Sequence, residues 1–205
     1  MRGHFKVSVL KIPAVMTNHK TSLIVVGIAS VIAVSMRLIN LQYMNFSALG
    51  ALAVLCGAVV RPAWLGILIP LGCRLITDCE LQRRTGHGFY SSMVFDYAAY
   101  AVIFALGRAI QPKNMPVALG TGLLAALTFF LVSNFGVWCI PHEPGQYLYP
   151  HTLAGLRNCF VSALPFARGT FLGDIGFTLA FFGALTLLAV PAKTTSPVTG
   201  EGWLR

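Results

Sequence analysis

The run from Val117 to Val132 contains no charged residue. It continues apolar to Cys139, and Thr21 to Met36, Ser91 to Leu106 and Gly169 to Val190 are nearly as greasy. A helix rises about 1.5 Å per residue, so roughly 17–25 apolar residues cross a hydrocarbon core of about 30 Å. Runs of this length restrict the chain to a few folds, and crossing a bilayer as helices is the first of them. Only 10% of the 205 residues are charged and 56% are hydrophobic, whereas a soluble domain carries about 25% charge. Phe46 to Thr77 is broken by Arg61-Pro62 and reads as two short helices, Phe46 to Val60 and Pro62 to Thr77. A re-entrant pair is the alternative, and either returns the chain to the side it left. The expected class is all-α: a polytopic membrane helix bundle of about six transmembrane helices in one domain over 21–190. A basic segment, 1–20, precedes it and a tail, 191–205, follows.

The formal charge of +9 invites a nucleic-acid reading, but its placement points to a membrane. With six alternating spans, Arg2, Lys6, Lys11, Lys20, Arg61, Arg108, Lys113, Lys193 and Arg205 share one side. Arg37, Arg74, Arg83, Arg84, Arg157 and Arg168 take the other, with Asp78, Glu80, Asp96, Glu143 and Asp174. Basic residues near membrane ends mark the cytoplasmic side, so both termini are expected in the cytoplasm. A long basic lead suits an uncleaved first helix better than a cleaved signal peptide.

Ionisable groups in a span are costly and usually face a cavity or a partner. Here they share a level. Arg37 and Asn40 end the first span, Arg74 and Asp78 the third, and Asp96 begins the fourth. Asn134 and Trp138 end the fifth, and Asp174 begins the sixth. All fall in the outer half, so they either knit helices together or line a pocket open to the outside. Between the last two spans, Asn134 to Thr152 carries Trp138, His142, Glu143, Tyr147, Tyr149 and His151 around three prolines. Thr152 to Phe166 has apolar residues at helical spacing and is expected to form a short interfacial helix ending at Pro165. Loop and helix together read as a cap over the spans.

Motif tests narrow the chemistry. Lys20-Thr21 follows His19 where a Walker A loop needs glycine, and H-E-x-x-H and G-x-S-x-G are absent. His142, Glu143 and His151 have no recognised metal spacing, and no cofactor is implied. Cys79, Cys139 and Cys159 fall at the outer face, where a disulfide is chemically permitted. Asp96 in "FDY" and Asp174 in "LGD" are the remaining enzymatic rival, as paired carboxylates of an intramembrane aspartyl protease. Phe95 and Phe171 depart from that pattern. Small residues four apart, such as Ala29 with Ala33, permit close helix approach.

"RLIN" with "NFSALGALAVLCGA", "IPLGCRLITD", "LVSNFGVW" and "YPHTLAGLRNCFVSALPFARGTFLGD" together resemble an uncharacterised bacterial multi-pass membrane family that carries a transport-protein label. The likeness covers roughly Arg37 to Val190. Ala48 stands where that family has proline, and Leu81 to Phe89 has no counterpart. In layout the family is similar to the substrate-binding S components of energy-coupling-factor transporters. That likeness implies a bacterial inner-membrane protein with a small-molecule solute bound from outside. It also implies a transmembrane coupling protein and ATPase subunits as partners, and a docking face at Ala29 and Ala33. The expected substrate-binding set is Arg37, Asn40, Arg74, Asp96, Asn134, Trp138, Tyr149, Arg157 and Asp174, taking a flat or anionic molecule. A structural or assembly subunit without a ligand is the alternative.

Overall fold

The computed structural model describes residues 19–39 and 45–188. Six helices account for about four fifths of them: α1 (His19–Ile39), α2 (Leu49–Val59), α3 (Ala63–Thr85), α4 (Met93–Ile110), α5 (Met115–Cys139) and α6 (Leu153–Leu188). All but the last two residues of the expected 1–20 segment, the whole expected 191–205 tail, and Asn40 lie outside the described residues.

Local chemistry sets most of the boundaries. The Asn114 side chain accepts the Val117 N–H at 3.0 Å and Pro116 follows in the first turn, so α5 starts where an N-cap and an early proline place it. α3 ends at Gly86, whose φ of 75° is a left-handed conformation favoured by glycine, and the Gly86 N–H returns to Gln82 O. Extra turns carry α3 eight residues past the expected Thr77. Glu80 pairs with Arg83 and Arg84 one turn on, which makes the start of the unmatched Leu81 to Phe89 stretch helical.

The expected break at Pro165 does not occur. Residues 152–166 are helical, as expected, but they continue into the last span as one helix of 36 residues with Pro165 inside. Proline removes one backbone donor, and membrane helices tolerate this because neighbouring groups satisfy the freed carbonyl. Pro70 is likewise carried within α3.

α1, α4, α5 and α6 are long and apolar enough to cross a bilayer. Their outer faces expose large apolar side chains, among them Ile24, Ile28, Val31, Leu131, Leu172 and Leu179. A soluble protein rarely shows apolar surface on that scale; lipid is the solvent that suits it. The chain is an integral membrane protein.

α2 differs from the other helices. Its 11 residues span about 16 Å, half the hydrocarbon thickness. Leu49 through Gly57 are all buried, because α1, α3, α4, α5 and α6 surround it. Contact with α4 is closest where two glycines meet. A Cβ on Gly57 would strike the Arg108 backbone at 2.8 Å, and one on Gly107 would strike Val54 Cα at 2.8 Å.

Hydrogen bonds sort the helix ends into two groups. Arg37, Asp78 and Asp96 join the ends of α1 and α3 to the start of α4. Ser91 Oγ donates to Pro141 O at 2.8 Å, which ties in the α5–α6 connection. This is the network end. At the far end, Arg108 of α4 donates to Val60 O and Arg61 O, just past α2.

Candidate functional site

Asp78 and Arg74 lie one turn apart on α3, so their side chains meet: Arg74 Nε donates to Asp78 Oδ2 at 2.8 Å. The rest of the Arg74 fork reaches α4. Its Nη2 donates to Asp96 Oδ2 at 3.1 Å and to the Tyr90 hydroxyl at 2.7 Å. Arg37 closes the other side by pairing with Asp78 Oδ1, and the Tyr97 hydroxyl donates to Asp78 Oδ2 at 2.9 Å. Tyr90 donates in turn to Asp96. The Arg74 guanidinium also lies 5.9 Å from the ring centres of Tyr97 and Tyr100, within cation–π range. Two arginines and two aspartates cancel in charge, which makes burial tolerable: Arg74 is 3% exposed and Asp78 0%. Burial also pushes the Tyr90 hydroxyl above its ordinary pKa, against the pull of Arg74, so Tyr90 serves as a neutral donor.

Asp174 has a separate task. It is buried in α6, and its Oδ1 accepts the Ala51 N–H at 3.2 Å. Ala48, at the N-cap of α2, has no side chain able to cap, and only Ser47 Oγ helps by accepting the Leu49 N–H at 3.2 Å. A carboxylate from another helix therefore satisfies the start of α2, where the helix dipole also favours negative charge.

That contact also fixes where α2 begins. Asp174 lies some twenty residues into α6, and the start of α2 packs on it there, where a Cβ on Gly50 would meet the Asp174 carboxyl. A cavity of about 350 Å³ lies between α4, α5 and α6. Asp96, Asn134 and Tyr149 line it as the sequence led us to expect. Asn134 Nδ2 is tied back to Phe130 O at 2.7 Å, which orients its amide.

The other expected residues do different work. Arg37 and Arg74 stand in the ion network and do not line the cavity. Arg157 is exposed on α6 and lies away from it. Trp138 is a clamp: its indole N–H donates to Pro150 O at 3.0 Å, and its ring lies 5.0 Å from His151. His151 returns a contact to Trp138 O at 2.9 Å and stacks against Tyr147 at 3.9 Å. His142 and Glu143 belong to a tight turn closed onto Gln146. Asp174 caps α2. Asp96 and Asp174 thus answer to different partners, Arg74 and the α2 backbone. Cys79, Cys139 and Cys159 are free thiols. Ala29 and Ala33 are 0% exposed, so that face of α1 turns into the bundle, because small side chains let α1 approach its neighbours. The expectation of a docking face there is corrected accordingly.

Sequence reasoning overlooked Tyr90, Ser133, Ser162 and Thr170, all of which line the cavity. The signal was present: Cys159, Ser162, Ala163, Phe166, Ala167 and Thr170 repeat at three- and four-residue steps, one face of a helix. An expected stop at Pro165 cut that face in two. A second cavity, about 270 Å³, opens at the far end between His19, Arg61, Arg108 and Gln111.

Residues 17–197 match DUF6580, described as a family of unknown function. No curated protein and no solved structure matches the chain.

Proposed function

We propose a function for a chain that belongs to DUF6580: it binds a small solute in the network-end cavity and hands it across the membrane, in the manner of an S component. One observation carries this reading. A cavity of about 350 Å³ with mixed polar and aromatic walls lies between α4, α5 and α6, with the buried Asp96 in its wall. Volumes of about 300–1,000 Å³ are typical of small-molecule sites. The distribution of lysine and arginine supports an outward-facing mouth with both termini in the cytoplasm. Energy would come from partner subunits or a gradient. With Ala29 and Ala33 turned inward, a coupling partner would meet the exposed apolar face of α1 at Leu23, Ile24, Ile28 and Val31.

The test is native mass spectrometry of the detergent-purified chain. The wild type should carry a small molecule that is released on denaturation. Ala163→Trp, which fills the cavity, and Asn134→Ala, which removes a polar wall group, should both lose it. Arg157→Ala should keep it. Equal solute content in all four proteins would remove the cavity from the function.

A second reading, a structural or assembly subunit, draws on the ion network being closed within the protein. It expects an empty chain in which Ala163→Trp changes nothing.

A further inference from the structure

We propose that the cavity selects a cationic solute, a small protonated amine or amidine on a flat apolar body, and rejects anions. This rests on the reading of the cavity as a solute site. Among the described residues that line it, Asp96 is the one with a charged side chain. Asp96 is 7% exposed, so the carboxylate belongs to a built wall and not to open surface. The hydrogen bonds it accepts from Arg74 and Tyr90 both end on Oδ2. Among the described residues no donor is seen on Oδ1, which leaves that oxygen for a ligand.

The arginines balance this charge from behind and do not line the cavity. Arg74 stands behind Asp96 with Nε and Nη2 donating to Asp78, Asp96 and Tyr90, and Arg37 Nη2 pairs with Asp78. An entering anion meets the carboxylate before it meets either guanidinium. A cation meets its opposite charge first, in surroundings where charges act more strongly than in water. Ser92, Ser133, Asn134, Ser162 and Thr170 add uncharged donors and acceptors. Phe129, Phe130, Phe166 and Tyr149 supply ring surface for a flat body and ring faces for a cation. The sign of the preferred ligand is thus opposite to the one expected from Arg37, Arg74 and Arg157 in the sequence. The discrimination comes mainly from repulsion of the wrong partner.

Three probes with one ring system and different charge test the inference: tryptamine, tryptophol and indole-3-acetate. Each is titrated into the full-length chain in detergent by calorimetry. Tryptamine should bind more tightly than tryptophol by about tenfold or more, a step equal to ~1.4 kcal/mol, and indole-3-acetate should bind most weakly. Asp96→Asn should level tryptamine with tryptophol. Because that change leaves Arg74 short of a partner, Ser133→Asp gives an independent arm: a second carboxylate on the wall should widen the tryptamine preference. Indole-3-acetate binding as tightly as tryptamine, or an unchanged ratio in Ser133→Asp, overturns the inference alone. A co-purified solute with net positive charge supports it, and one with net negative charge overturns it. No binding by any probe and no co-purified solute overturns the solute site, and the inference with it.

Discussion

The two ends of α2 face the same problem and solve it differently. Each end of a helix leaves backbone groups that its own hydrogen bonds do not satisfy. At the start, Asp174 of α6 supplies a buried acceptor to the Ala51 N–H. At the finish, Arg108 of α4 supplies donors to Val60 O and Arg61 O, close to solvent, where Arg61 is exposed. An acceptor oxygen at the start and a cation at the finish both suit the helix dipole. The difference is depth. A deep end has no substitute for its partner, while a shallow end can turn to water. The same rule separates the buried network of Arg37, Arg74, Asp78 and Asp96 from the exposed Glu80 cluster with Arg83 and Arg84.

Substitutions at different depths test that rule. The largest effect belongs to Asp78→Ala, which takes the paired carboxylate from Arg37 and leaves Arg74 with Asp96 alone. Breaking a buried ion pair by removing one partner costs about 3–5 kcal/mol, so the protein should lose its folded, monodisperse peak in size-exclusion chromatography or unfold many degrees lower. Asp174→Ala comes next. Leaving the α2 amides unsatisfied should cost about 1–3 kcal/mol, read as a lower Tm in detergent, and Asp174→Asn, which keeps an acceptor, should recover most of it. Arg108→Ala at the shallow end should cost only about 0.3–1 kcal/mol. An effect equal to that of Asp174→Ala would break the depth argument. Smallest is Glu80→Gln on the exposed turn, which should leave the Tm unchanged.

The ion network also shows what can be read in advance. Arg37, Arg74 and Asp96 could be named because charges in apolar runs are conspicuous, and their common level followed from counting residues. Their role could not. Asp78 accepts from both arginines and from Tyr97, yet it was left out of the expected site because nothing in the order of residues says which carboxylate turns towards which cation. Trp138 looked like a stacking surface for a ligand and instead holds the Pro150 corner. Ser162 and Thr170 were invisible once Pro165 was taken as a stop, since their shared face exists only if the helix is continuous.

By itself the sequence determined the apolar solvent, the helical class, the approximate ends of α1, α4 and α5 and how far along them the polar residues lie. Depth is a one-dimensional quantity: each residue advances a helix by a constant rise, so counting along an apolar run is enough. Tertiary structure decided which way each side chain faces and where α2 begins. Those depend on how neighbouring helices rotate to bury small residues and to satisfy Arg74, Asp78 and the α2 backbone together. The cavity belongs to that second group: the faces that α4, α5 and α6 turn towards one another choose its walls.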